Sequence, residues 1–168
     1  MLETAPTSRP LWLCMKAEQS TPDQILRHFR VSAPPIDVLG MAQSMGVQIL
    51  HTTGRNWSGA LRAAEDAATI YLADGDSHER QRFTIAHELG HLMLHPLGLE
   101  YRDLIDPTAP GSSVREREAN AFAAELIMPE WLVRVTVDRL GSNIRALAEA
   151  FRVSESAMEY RLRALYPR

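Results

Sequence analysis

Cysteine is almost absent from this 168-residue chain: Cys14 is the only one, so no internal disulfide and no cysteine-based zinc cluster can form. Any metal site must therefore be built from His, Asp or Glu. An excess of one charge sign is missing too. The 18 Lys+Arg against 21 Asp+Glu leave a net charge of -3, which does not favour a phosphate backbone or an anionic membrane as a partner. Lysine itself is nearly missing, Lys16 standing alone among 17 arginines, a bias of composition rather than a signal. No apolar run reaches the ~18 residues of a membrane span, and Glu3 stands where a signal peptide would carry Lys or Arg. The expectation is a cytoplasmic protein with no membrane segment. With 45% apolar and 23% charged residues and no internal repeat, the chain reads as one globular domain.

Residues 1–20, with Pro6 and Pro10 and no clear period, read as an arm or linker ahead of a single domain over 21–168. Thr21-Pro22-Asp23-Gln24 places a capping threonine, a first-turn proline and a glutamine three residues after the cap, so a helix begins there and runs to about Arg30. Ile36, Leu39, Met41, Ala42 and Met45 are spaced as on a helix face, and Gly46 ends it. Three β-prone runs follow, Val47 to His51, Gly59 to Arg62 and Ala68 to Ala73, which predict a small antiparallel sheet. Helical periodicity then returns over 80–95, 113–128, 130–140, 143–151 and 154–165, broken by prolines and Gly141. The class is α+β, a small sheet packed on a mostly helical domain. Residues 96–112, rich in proline, read as a long loop bordering a cleft or as a disordered insertion.

His87-Glu88-Leu89-Gly90-His91 sets His-Glu-x-x-His inside a stretch already read as helix. Residues four apart lie about 40° apart around a helix and ~6 Å along it, so His87 and His91 can reach one metal ion from a single face. Glu88, about 100° round from His87, is placed to hold the metal-bound water as general base. Apolar residues cover most of the remaining circumference, and two histidines and a glutamate on a buried helix need polar partners that a metal would supply. The alternative is a pair of structural histidines satisfied by hydrogen bonds.

A catalytic zinc needs a third protein ligand and one open position. His95, ~12 Å along a continuous helix from His87, cannot ligate the same ion unless the helix breaks. The source lies on the next helix, where Glu116 and Asn120 share a face and Glu118 points away from it. Glu116 could ligate while Asn120 hydrogen-bonds a ligand from behind. Ser113-x-x-Glu116 is also a capping box, which would occupy Glu116 with its own helix start. The small residues Ala119, Ala123 and Ala124 would allow close approach to the metal helix. Tyr71, His95, Tyr101 and Arg102 are candidate donors to a developing oxyanion.

Phe83-Thr84-Ile85-Ala86-His87-Glu88-Leu89-Gly90-His91, followed 25 residues later by Glu116-x-x-Ala119-Asn120-x-Phe122-Ala123-Ala124-x-Leu126-Ile127-Met128-Pro129, closely resembles the ImmA/IrrE family of zinc metallopeptidases. The likeness extends more weakly from about Ile36 to Leu165. It implies a zincin-like fold with His87, His91 and Glu116 as zinc ligands and Glu88 as base. It also implies endopeptidase activity on helix-turn-helix repressors or antitoxin-like regulators.

A rival reading comes from the C-terminus. Ala146 to Leu162 reads like a helix-turn-helix, and residues 134–168 carry 7 Arg against 4 acids. Glu155 and Glu159 would face phosphates if the second helix entered a groove, and the apolar spacing of Leu147, Phe151, Val153, Met158 and Leu162 equally serves a core. Direct DNA binding is therefore the lesser expectation. A third reading is a protein-interaction module of toxin-antitoxin type with structural zinc.

Overall fold

Helix starts in the computed structural model, which describes residues 9–53, 57–96, 100–104 and 114–167, follow the local chemistry of their caps. Among the described residues eight helices and four strands run in the order α1 (Leu11–Ala17), α2 (Pro22–His28), α3 (Val38–Ser44), β1 (Val47–Thr52), β2 (Trp57–Ala64), β3 (Ala67–Ala73), α4 (His78–Leu94), β4 (Glu100–Leu104), α5 (Val114–Ile127), α6 (Glu130–Leu140), α7 (Ile144–Phe151) and α8 (Glu155–Leu165). The Thr21/Gln24 capping box opens α2 as its sequence predicts, and Asp37, Ser77, Asn143 and Ser154 each accept a backbone N–H to cap α3, α4, α7 and α8. Among the described residues no helix is long and apolar enough to cross a membrane.

The class is α+β as expected, but the sheet is mixed and has four strands, ordered β1-β3-β2-β4. β2 and β3 form a hairpin through Glu65 and Asp66, and β1 joins at the free side of β3, where it lies parallel. The fourth strand comes from the segment read as a loop: β4 pairs antiparallel with β2. Its sequence, Glu-Tyr-Arg-Asp-Leu, has no apolar alternation that would mark it as a strand. Gly59, Leu61 and Ala63 of β2 and Ala68, Ile70 and Leu72 of β3 share one buried face, against which α4 packs.

Part of the segment read as an N-terminal arm is helical and buried. Residues 11–17 form α1, which buries Trp12 and Met15 in the core and ties the Trp12 amide to the Met45 carbonyl at 2.9 Å. Lys16 Nζ donates to the carbonyls of Leu92, Met93 and His95 at 2.6, 3.2 and 2.6 Å, closing the C-terminal end of α4. A cation among those last carbonyls satisfies groups a helix cannot bond within itself. Burial of the lysine lowers the pKa of its ammonium. Seven residues are too few to display a helical period, and Pro10 gives no side-chain cap to mark the start.

The C-terminal helices pack onto the domain. Leu147, Phe151, Val153 and Met158 join the main core, and Ile144 and Leu162 pack against it. Arg152 ends α7 in the left-handed region (φ 52°), its carbonyl and that of Phe151 each accepting from the Arg82 guanidinium at 3.3 Å. Arg161 of α8 donates to the Met128 carbonyl at 2.9 Å and pairs with Glu125.

Candidate metal centre

Ten consecutive residues of α4, Thr84 to Met93, are buried, so its polar members must find partners inside the protein. Those partners come from α5, which crosses close by. A Cβ on Gly90 would lie 3.0 Å from the Cα and carbonyl oxygen of Ala119, a contact tight enough to push α5 outward, so glycine there allows the close approach. Ala119 and Ala123 are likewise buried, as expected of small residues at a close helix contact.

The crossing brings Glu116 over both histidines. Its Oε2 lies 3.3 Å from His87 Nε2 and its Oε1 3.2 Å from His91 Nε2, while the two Nε2 atoms are 3.1 Å apart. Donors held tetrahedrally at ~2.0–2.1 Å from a zinc ion stand about 3.3 Å from one another, so this spacing fits the ion. Among the described residues the cluster is two imidazoles and one carboxylate, a set that leaves a fourth position for water or substrate. The capping alternative for Glu116 depends on Ser113, which lies outside the described residues, but the carboxylate itself is turned to the histidines.

The rear nitrogens of both rings are engaged. His87 Nδ1 stands 3.0 Å from Asn120 Oδ1, and an amide oxygen can only accept, so the proton sits on Nδ1 and Nε2 keeps its lone pair toward Glu116. Asn120, on the same face of α5 as Glu116, thus stands behind the His87 ring. His91 Nδ1 is 2.9 Å from His95 Nδ1, and His95 Nε2 is 3.1 Å from Glu118 Oε2. Burial pushes the His95 pKa down, against the pull of Glu118.

This corrects the reading of Glu118 as turned away. The wheel angle fixes where Cβ leaves the helix, and the three torsions of a glutamate then carry its carboxylate round to His95. His95 itself stands beside the three-donor cluster, at the extended residue that ends α4. Its spacing to His91, equal to that between His87 and His91, was the signal that it shares their face.

Glu88 is fully buried on the side of α4 turned to β2. A Cβ on Gly59 would meet Thr84 Cγ2 at 2.2 Å and Glu88 Oε1 at 3.2 Å, so this glycine makes room for the carboxylate. Of the oxyanion candidates, Tyr71 pairs with Ala60 on the sheet face opposite Gly59 and Leu72, and both ring nitrogens of His95 are already taken. The side chains of Tyr101 and Arg102 lie outside the described residues.

The sequence matches the peptidase M78 family model, the IrrE N-terminal-like domain, over residues 42–163. The chain belongs to this family. Two radiation response metalloproteases IrrE are similar to this IrrE-like chain. That of Deinococcus radiodurans is 38% identical over 93 residues, covering 52% of the chain and 27% of the relative. That of Deinococcus deserti is 38% identical over 92 residues, covering 54% and 33%. The chain therefore spans a third or less of the length of these relatives. A Mycobacterium tuberculosis transcriptional regulator shares the fold, with a TM-score of 0.60 at 14% identity, over 94% of this chain and 52% of that one.

Proposed function

We propose that the IrrE-like chain is a zinc-dependent endopeptidase of the cytoplasm, with a helix-turn-helix repressor or antitoxin-like regulator as substrate. Membership of a metallopeptidase family supports the reaction class, and the convergence of two Nε2 atoms and a carboxylate beside a buried glutamate carries it. In this reading His87, His91 and Glu116 hold the ion, and Asn120 fixes the ring of His87. Zinc bound there supplies Lewis-acid polarisation of the scissile carbonyl and lowers the pKa of water at the site. Glu88 takes the proton of the attacking water and delivers it to the leaving amine. In this reading the fully buried Glu88 carboxylate, beside Gly59 and next in sequence to His87, serves the proton transfer. The substrate class rests on the ImmA/IrrE resemblance.

A DNA-binding or interaction module with structural zinc is the weaker reading. The apolar faces of α7 and α8 are spent on the core, and three donors fall short of a closed structural site. The deciding experiment incubates zinc-loaded protein with purified helix-turn-helix repressors. Cleavage at one site by the wild type is expected, with a loss of about 10²–10⁴-fold in Glu88→Gln at unchanged zinc content. Equal cleavage by Glu88→Gln would overturn the assigned base. Salt-dependent DNA binding by folded, zinc-free protein, with no cleavage, would overturn the enzyme reading.

A further inference from the structure

We infer that His95 and Glu118 form a relay behind His91 that fixes its proton on Nδ1 and strengthens its hold on the metal. The inference rests on the zinc site proposed above and adds two residues to it. His91 Nδ1 and His95 Nδ1 are 2.9 Å apart, and two ring nitrogens can hydrogen-bond only when one carries a hydrogen and the other a lone pair. His91 must keep the lone pair on Nε2 to face the ion, so its Nδ1 carries the hydrogen and donates. His95 Nδ1 then accepts, which leaves the hydrogen of its neutral ring on Nε2, 3.1 Å from Glu118 Oε2. Every proton along the three residues is thereby assigned, and the chain ends on a negative charge.

That polarity makes His95 a better acceptor and His91 Nε2 a more basic donor to the cation. His87 is backed by the neutral amide of Asn120 instead, so the two histidine ligands are supported unequally. The relay is also built to stay in place. His95 is 5% exposed, and its own carbonyl is gripped by Lys16 at 2.6 Å. His95 and Glu118 are positioning residues, acting on the ion through His91.

The test is zinc affinity of the apo-protein, measured by competition with a chromogenic chelator. His95→Leu is expected to weaken zinc binding by about 10–100-fold, and Glu118→Ala by a smaller factor in the same direction. His95→Gln should recover most of the loss, because one amide oxygen can accept from His91 while its NH₂ donates to Glu118. Imidazole ¹⁵N spectra give a readout that a merely structural role would not move: His91 carries its hydrogen on Nδ1 in the wild type, with faster exchange of that hydrogen in Glu118→Ala. The Glu118 side chain is 52% exposed, so Glu118→Ala decides the matter if His95→Leu does not fold. Wild-type protein binding one zinc, with unchanged affinity and exchange in Glu118→Ala, would overturn the relay and leave the metal site standing. A wild type that binds no zinc would overturn both.

Discussion

The helix pairs α4–α5 and α7–α8 both read from sequence as bearers of chemistry, one metal-binding and the other DNA-binding, and they differ in what they bury. On α4 the buried set includes His87, Glu88 and His91, with His95 just beyond. On α7 and α8 it is Leu147, Ala148, Phe151 and Met158, all apolar. Charges on the outer face of the second pair form i,i+4 pairs, Arg145 with Glu149 and Arg163 with Glu159, while Arg161 turns inward to Glu125 and the Met128 carbonyl. Burying a polar group costs several kcal/mol unless partners compensate, so a fold retains such groups only where something answers them. On α4 the answers are Glu116, Asn120 and Glu118, reached because Gly90 lets α5 approach. The C-terminal pair is cohesive packing with a solvated outer face.

The sharpest way to break this contrast is Glu88→Gln, the largest expected effect, which should abolish cleavage without disturbing stability or zinc. Phe151→Ala comes next and should do the reverse: about 3–5 kcal/mol of unfolding free energy lost in chemical denaturation, with zinc stoichiometry intact in the folded fraction. A change of zinc affinity in folded Phe151→Ala would show that the C-terminal pair also shapes the site. Gly90→Ala should produce a smaller but double effect. The added methyl sits against the Cα and carbonyl oxygen of Ala119, so α5 must shift to admit it, at a cost of about 1–3 kcal/mol. The same displacement moves Glu116 away from the histidines and weakens zinc binding. Wild-type stability and affinity in Gly90→Ala would contradict the claim that this crossing assembles the site.

The legible parts of the molecule were those written in short-range chemistry. The Thr21/Gln24 box, the boundaries of α6 at Pro129 and Gly141, and the His-Glu-x-x-His spacing all act within one or two turns. Glu116 and Asn120 could be named because a shared face on α5 is a local property, although their meeting with α4 is not. What sequence did not reveal depends on distant partners. α1 is defined by what Trp12 and Lys16 touch near residues 45 and 92–95, and β4 by pairing with β2. Tertiary pairing decided both against weak local propensity. Glu118 was misplaced because its role depends on side-chain torsions, which no helical wheel contains.

Metal content of the purified, untagged chain, measured by plasma mass spectrometry beside Glu116→Ala, tests the central claim most directly. The account predicts about one zinc per wild-type chain and a large loss of zinc in folded Glu116→Ala, because two histidines alone do not complete the site. No zinc in the wild type after incubation with excess metal, or full zinc in Glu116→Ala, would contradict it.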